Sequence, residues 1–184
     1  MNTFERLFKL WSMICKMVMD GARDPEKVAE ILQTIVDETK TYLQQLFTDL
    51  EIDAKDGTET FESSGVFPGG VYGVAVPAAA KGKPTPAAKA TVWEIILDGI
   101  FALLFGSMGD NRKRWTEAQV IEFCRRHYGK LRTGGYTTFF EMEGGVVAFA
   151  YFDDSGRLEV YVDSFSHDSV WHAKYQHRLV SLQQ

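Results

Sequence analysis

Apolar residues recur at helical spacing from the start of the chain. Phe4, Leu7, Phe8, Trp11, Ile14, Cys15 and Val18 make one face, Leu10, Met13 and Met17 add a second sector, and Glu5, Lys9, Ser12 and Lys16 leave a narrow polar strip. The spacing predicts a helix over 3–20, with Asn2 and Glu5 as its capping box. A helix this apolar is either buried on most sides or meets a partner. Gly21 ends it. Asp24, Pro25 and Glu26 then supply an N-cap, a first helical residue and an anion at the positive end of the helix dipole, and Val28, Ile31, Leu32, Ile35 and Val36 form the next face. The pattern slips over 37–40 and resumes at Tyr42, Leu43, Leu46, Phe47 and Leu50, which predicts further helix, bent or broken in two.

The pattern is clearest from Thr116 to Val162. Thr116 and Gln119 stand in capping-box spacing, Trp115 and Val120 in hydrophobic-staple spacing. Val120, Ile121, Cys124, Tyr128 and Leu131 then share one helical arc. Beyond Gly134-Gly135 the period changes to two. Tyr136–Met142, the continuous apolar run Val146–Phe152 and the alternating stretch Leu158–Val162 read as three antiparallel strands, joined by turns at Glu143-Gly144-Gly145 and Asp153-Asp154-Ser155-Gly156. Val170–Tyr175 alternates in the same way, and 178–182 reads as a fifth strand at the sheet edge.

Between these halves the pattern is weak. Six carboxylates against Lys55 make 49–62 an acidic loop, and Gly57 placed at the sixth position of a calcium loop puts Ile52 and Ser63 where acidic ligands belong. The stretch 63–90 is broken by Gly65, Pro68, Gly69, Gly70, Gly73, Pro77, Pro84 and Pro86. Val66–Val76 has room for a short strand pair, and 78–90 has the composition of a linker. Its glycines fit neither the P-loop nor the dinucleotide pattern. Thr91 and Glu94 in capping-box spacing, followed by apolar residues to Phe105, predict a third helix over 92–105 with Gly106 as C-cap.

Composition adds bounds. With 184 residues, 45% of them apolar, the chain can bury a core. A net charge of −5 argues against nucleic acid as an obligate partner of the whole surface. The longest apolar run is shorter than the roughly 20 residues a bilayer helix needs, and with no small-residue cleavage site near the N-terminus the expected location is the cytoplasm. Cys15 and Cys124, both in apolar surroundings, read as reduced, buried thiols.

Three constellations invite a chemical reading. Arg112, Lys113, Arg114, Arg125, Arg126, Lys130 and Arg132 form a candidate binding surface for nucleic acid or an acidic protein segment, of which the 49–62 stretch folded back is one, or else a solvated outer face. Cys124 and His127 share a helix, but a thiol on the buried face is a poor nucleophile. His167, His172 and His177 recur every five residues, which turns successive rings to opposite sides of a strand and argues against a shared metal ion. Glu141, Glu159, Asp163 and Asp168 converge only if the sheet register allows it. No catalytic, cofactor-binding or metal-binding residue is assigned, and no cofactor is expected.

Two segments carry a resemblance. Asp24-Pro25-Glu26-Lys27-Val28-Ala29-Glu30-Ile31-Leu32-Gln33 is similar to an N-terminal segment of an uncharacterised family from uncultured candidate-phylum bacteria. Lys130-Leu131-Arg132, Gly135-Tyr136, Thr138-Phe139-Phe140, Gly156–Val162, Phe165-Ser166 and Val170-Trp171 resemble a C-terminal module of the same group. The resemblance implies a bacterial cytosolic origin and a helical front end joined to a β-rich module, and it carries no activity.

The expected fold is α+β: a helical region over 1–50, an acidic then Gly/Pro/Ala-rich loop or linker over 51–90, and over 91–184 a helix packed on a four- to five-stranded antiparallel sheet. The expected function is a non-enzymatic interaction module with a protein partner or a second copy of itself and no membrane. The alternatives are a nucleic-acid-binding protein using 112–132, and a hydrolase with its site on the C-terminal sheet.

Overall fold

The computed structural model describes residues 3–38, 41–109 and 112–183, and the chain divides into two compact units, Met1–Lys40 and Thr41–Gln184. The first is a helical hairpin of α1 (Thr3–Met19) and α2 (Pro25–Glu38). Asn2 of the expected capping box lies outside the described residues. At the other end of α1 the Ala22 N–H donates to Met17 O at 2.8 Å and the Gly21 N–H to Val18 O at 3.1 Å. This is a Schellman motif, with Gly21 taking the left-handed φ of +70°. Asp24 Oδ1 accepts the Glu26 N–H at 3.0 Å, as an N-cap should.

The second unit is α+β. Its seven strands are β1 (Leu43–Ile52), β2 (Gly70–Gly73), β3 (Ala88–Ile95), β4 (Thr138–Met142), β5 (Val146–Phe152), β6 (Leu158–Ser164) and β7 (Arg178–Leu182). They form one sheet in the order β1-β3-β7-β4-β5-β6-β2. The β4–β5–β6 meander has the expected order and antiparallel sense. The sheet is nevertheless mixed and wider than the four or five antiparallel strands anticipated: β4 runs parallel to β7, and β2 parallel to β6. Strand β7 sits in the interior of the sheet, not at its edge, and Leu179 and Val180 are buried on its opposite faces. At the β2 edge Gly73 (φ +91°) lies so close to Val162 O that a Cβ there would clash with it, so the parallel pairing requires glycine.

Three helical or linker expectations are corrected. Residues 43–50 lie in β1. This edge strand has register shifts between Gln45 and Phe47 and between Phe47 and Leu50, with Asp49 at φ 55°. Each irregularity changes which face the next residue meets, so a strand acquires the three-and-four apolar spacing of a helix. The expected helix over 92–105 is instead β3, a bend at Leu97 with an isolated bridge from Gly99 to Trp171, and a short α3 (Phe101–Gly106). Ala90, Val92 and Ile95 are buried, and an apolar run covered on both faces has no period that separates strand from helix. The linker expected over 78–90 contains a 3₁₀ turn at Ala78–Ala80 and the start of β3. Similarly, 170–175 forms an isolated bridge from Trp171 to Gly99 and a 3₁₀ turn at Ala173–Tyr175, not a strand.

Each face of the sheet carries its own core. On one, α4 (Glu117–Arg126) packs Val120, Ile121, Phe123 and Cys124 against Phe140, Ala148, Val160 and Val180. Both capping-box bonds between Thr116 and Gln119 are made. Leu131 joins this core, but α4 ends at Arg126 and Tyr128 is left 49% exposed on a 3₁₀ turn. On the other face α3 contributes Phe101, Leu104 and Phe105 to a cluster with Phe139, Phe149 and Leu179. Leading into α4, residues 112–115 wedge between the diverging ends of β7 and β4. Lys113 bridges to Leu182, and Trp115 exchanges backbone bonds with Glu141 and Glu143. Trp115 Nε1 donates to Val180 O at 2.9 Å, closing the wedge from within.

Candidate functional site

The hairpin presents the first candidate surface. Among its described side chains none is buried; Ile14, Cys15, Val18, Val28 and Leu32 are half-buried where α1 meets α2. Phe8, Leu10, Trp11, Met13, Met17 and Met19 are exposed, Trp11 by 50% and Phe8 by 65%. A groove of about 650 Å³, lined by Ile14, Met17, Val28 and Leu32 with Arg23 and Lys27 at its rim, runs between the helices.

The seven basic residues picked out by sequence do not form one surface. Arg126 binds Asp53 at 2.6 Å and Glu51 at 2.8 Å, and Arg125 binds Glu59 and, at 3.4 Å, Glu122. The acidic segment has folded back onto α4. The Arg125 guanidinium holds Glu59 below the usual carboxylate range, and Asp53 and Glu51 raise Arg126 further above its own. Arg112 and Arg114 converge on the buried Glu141, because the wedge sets them beside β4. Lys130 lies over the Phe47 ring at 4.0 Å, and Arg132 donates to Gln176 and stacks near Tyr136. Lys113 and Arg114 open onto a cleft, which they share with Lys83 and Lys89.

The histidines also separate. His177 sits among the rings of Tyr136, Phe139, Trp171 and Tyr175. Its Nδ1 accepts the Thr137 N–H at 3.1 Å, and burial pushes its pKa down to about 4, so the ring is neutral with its proton on Nε2. His172 bonds Asp98 at 2.8 Å, which together with the Ala173 N–H holds that carboxyl low. This exposed carboxylate–imidazole pair was not foreseen, because Asp98 and Gly99 were placed inside the expected 92–105 helix. His167 lies 3.8 Å from Asp163. His127 turns from Cys124 to the carbonyl of Glu51, and burial pushes the Cys124 thiol far above its ordinary pKa. Among the described residues no group of three His, Cys, Asp or Glu is placed to hold a metal ion, and no helix is long and apolar enough to cross a membrane.

One further buried acid stands out. Glu117 Oε1 accepts the Phe61 N–H at 2.8 Å, while Oε2 has no hydrogen-bond partner and Lys81 is 4.0 Å away. Desolvation raises its pKa.

Comparison of the chain with family models, with curated proteins and with solved structures gives no match.

Proposed function

We propose that this protein is a non-enzymatic interaction module that assembles through its N-terminal hairpin, with a second copy of the chain as the partner. The observation that carries the reading is the open apolar face of α1 on a hairpin with no buried described side chain. Chains below about 40 residues rarely bury enough surface to hold a fold alone. Exposed Trp, Phe and Met together make the kind of adaptable apolar patch that interfaces use.

Charge favours a second copy. Among the described side chains, α1 carries Lys9 and Lys16 with no acid, and α2 carries Glu26 and Glu30 against Lys27. A two-fold arrangement that sets α1 of one copy on α2 of the other pairs opposite charge twice, and each hairpin as a whole stays close to neutral.

Size-exclusion chromatography with light scattering on the full chain tests this. A dimer that dissociates on dilution is expected, and Trp11→Glu shifts it to monomer while leaving the unfolding transition of 41–184 in place. A wild-type chain that stays monomeric at about 100 μM, a concentration at which a micromolar contact is nearly saturated, rules out self-assembly. The apolar face is then left to the chain's own second unit or to a different protein.

A further inference from the structure

We propose that the cleft between the 83–89 segment and the 112–116 wedge binds the phosphate group of a small ligand. The cleft measures about 610 Å³, within the range of small-molecule sites. Four cations line it: Lys83 from the Pro-rich approach to β3, Lys89 from the start of β3, and Lys113 and Arg114 from the wedge. Two are matched locally, Lys83 by Glu143 and Lys89 by Asp49 at 3.2 Å. Glu141 serves both Arg112 and Arg114. Lys113 makes no ion pair with a described residue. Counted with these partners, five cations face three carboxylates, an excess of two, which is the charge of a phosphate monoester near neutral pH.

The donors suit that group. Arg114 uses only Nε on Glu141, leaving its two terminal nitrogens for a bidentate contact with phosphate oxygens. Thr85 lines the same cleft between Lys83 and Lys89. Pro84, Pro86 and Leu182 supply apolar wall for the rest of the molecule. The walls are fixed. Lys55 and Thr85 exchange backbone bonds at 3.0 and 2.8 Å, and Gly57 packs so closely on the Lys83 backbone that a Cβ there would clash. A nucleic-acid polymer fits less well, because Arg125 and Arg126 at the far end of α4 are already paired with carboxylates and do not extend the cleft into a track.

The test is calorimetric titration of the full chain with inorganic pyrophosphate and inorganic phosphate, at ionic strength held constant with chloride. Saturable binding is expected, weakened at least tenfold in Lys113→Gln, while Lys174→Gln, which alters an exposed lysine outside the cleft, binds as wild type. Thermal unfolding without ligand should be the same in all three proteins, because Lys113 has no charge partner to lose. Absence of saturable binding up to about 5 mM, or equal weakening by both variants, overturns the proposal. So does tighter binding of a single-stranded oligonucleotide with steep salt dependence, which would assign the cleft to a polymer.

Discussion

The two units of this chain answer the same physical problem in opposite ways. The 41–184 unit buries large side chains on both faces of one sheet, with Trp115, Phe123 and Phe140 meeting edge to face on one side and Phe101, Phe139 and Phe149 on the other. The hairpin has two amphipathic helices, capped at the end of α1 and the start of α2, and no buried described side chain. Local helix signals are equally strong in both units. What differs is that the large apolar side chains are buried in the second unit and exposed on α1 in the first, and on that difference rests the proposal that the first unit is a surface.

The largest expected effect comes from treating an aromatic in each unit alike. Phe140→Ala removes a fully buried ring between Trp115 and Phe123 and should cost about 3–5 kcal/mol in urea unfolding. Trp11→Ala should change that same transition by less than about 0.5 kcal/mol, as exposed substitutions do, while raising the dissociation constant of the proposed dimer at least tenfold. A Trp11 variant that unfolds the sheet would dissolve the distinction between scaffold and surface.

Next in size is the buried ion cluster. Glu141→Ala leaves Arg112, with a side chain only 12% exposed, without its counter-charge, and should destabilise the sheet unit by about 3 kcal/mol. The double variant Glu141→Ala/Arg112→Leu should recover part of the loss. If the single and double variants are equally unstable, the cluster is acting through packing and not charge.

How much of this was legible in the chain differs in the same way between local and distant contacts. Helix α4 was readable because Thr116, Gln119 and Trp115 announce its start within a few residues. The β4–β5–β6 hairpins were readable because each turn is spelled by glycine beside acidic residues. Strands β1 and β3 were not readable: bulges disguised one as a helix, and two-sided burial erased the period of the other. The return of the acidic segment onto α4 was one of the expected partners for the basic cluster. Glu141 as the anchor for Arg112 and Arg114 was not foreseen, since it depends on the wedge between β7 and β4. The Asp98–His172 pair likewise depends on a bridge, Gly99 to Trp171, between distant parts of the chain. Charge complementarity can be seen in sequence, but register cannot.

A pH dependence of intermediate size follows from His177. Its folded pKa of about 4 lies below the ordinary 6.5, so the unfolded chain binds the proton first. The stability it contributes is present above pH 6.5 and is lost as pH falls toward 4, to a limit of about 3 kcal/mol. Glu117 has the opposite sign. Its raised pKa contributes stability below 4.5 that is lost as pH rises through the folded value. His177→Asn keeps an acceptor for the Thr137 N–H and should flatten the slope between pH 6.5 and 4. Glu117→Gln should flatten the opposing slope above pH 4.5. Urea midpoints across this range read both.

The smallest perturbation tests the comparison without altering the fold. Cys124 is buried in the sheet unit with its thiol pKa pushed up, so a thiol reagent reaches it only when the unit opens, and its labelling rate should fall as stability rises. Cys15 is half-buried on α1 and should label at least a hundredfold faster at low protein concentration. If a second copy covers α1, the Cys15 rate should drop as concentration passes the dimer dissociation constant while the Cys124 rate stays flat, and Trp11→Glu should abolish the drop. A Cys15 rate independent of concentration in a chain that light scattering shows to be dimeric would place the dimer contact elsewhere than the hairpin.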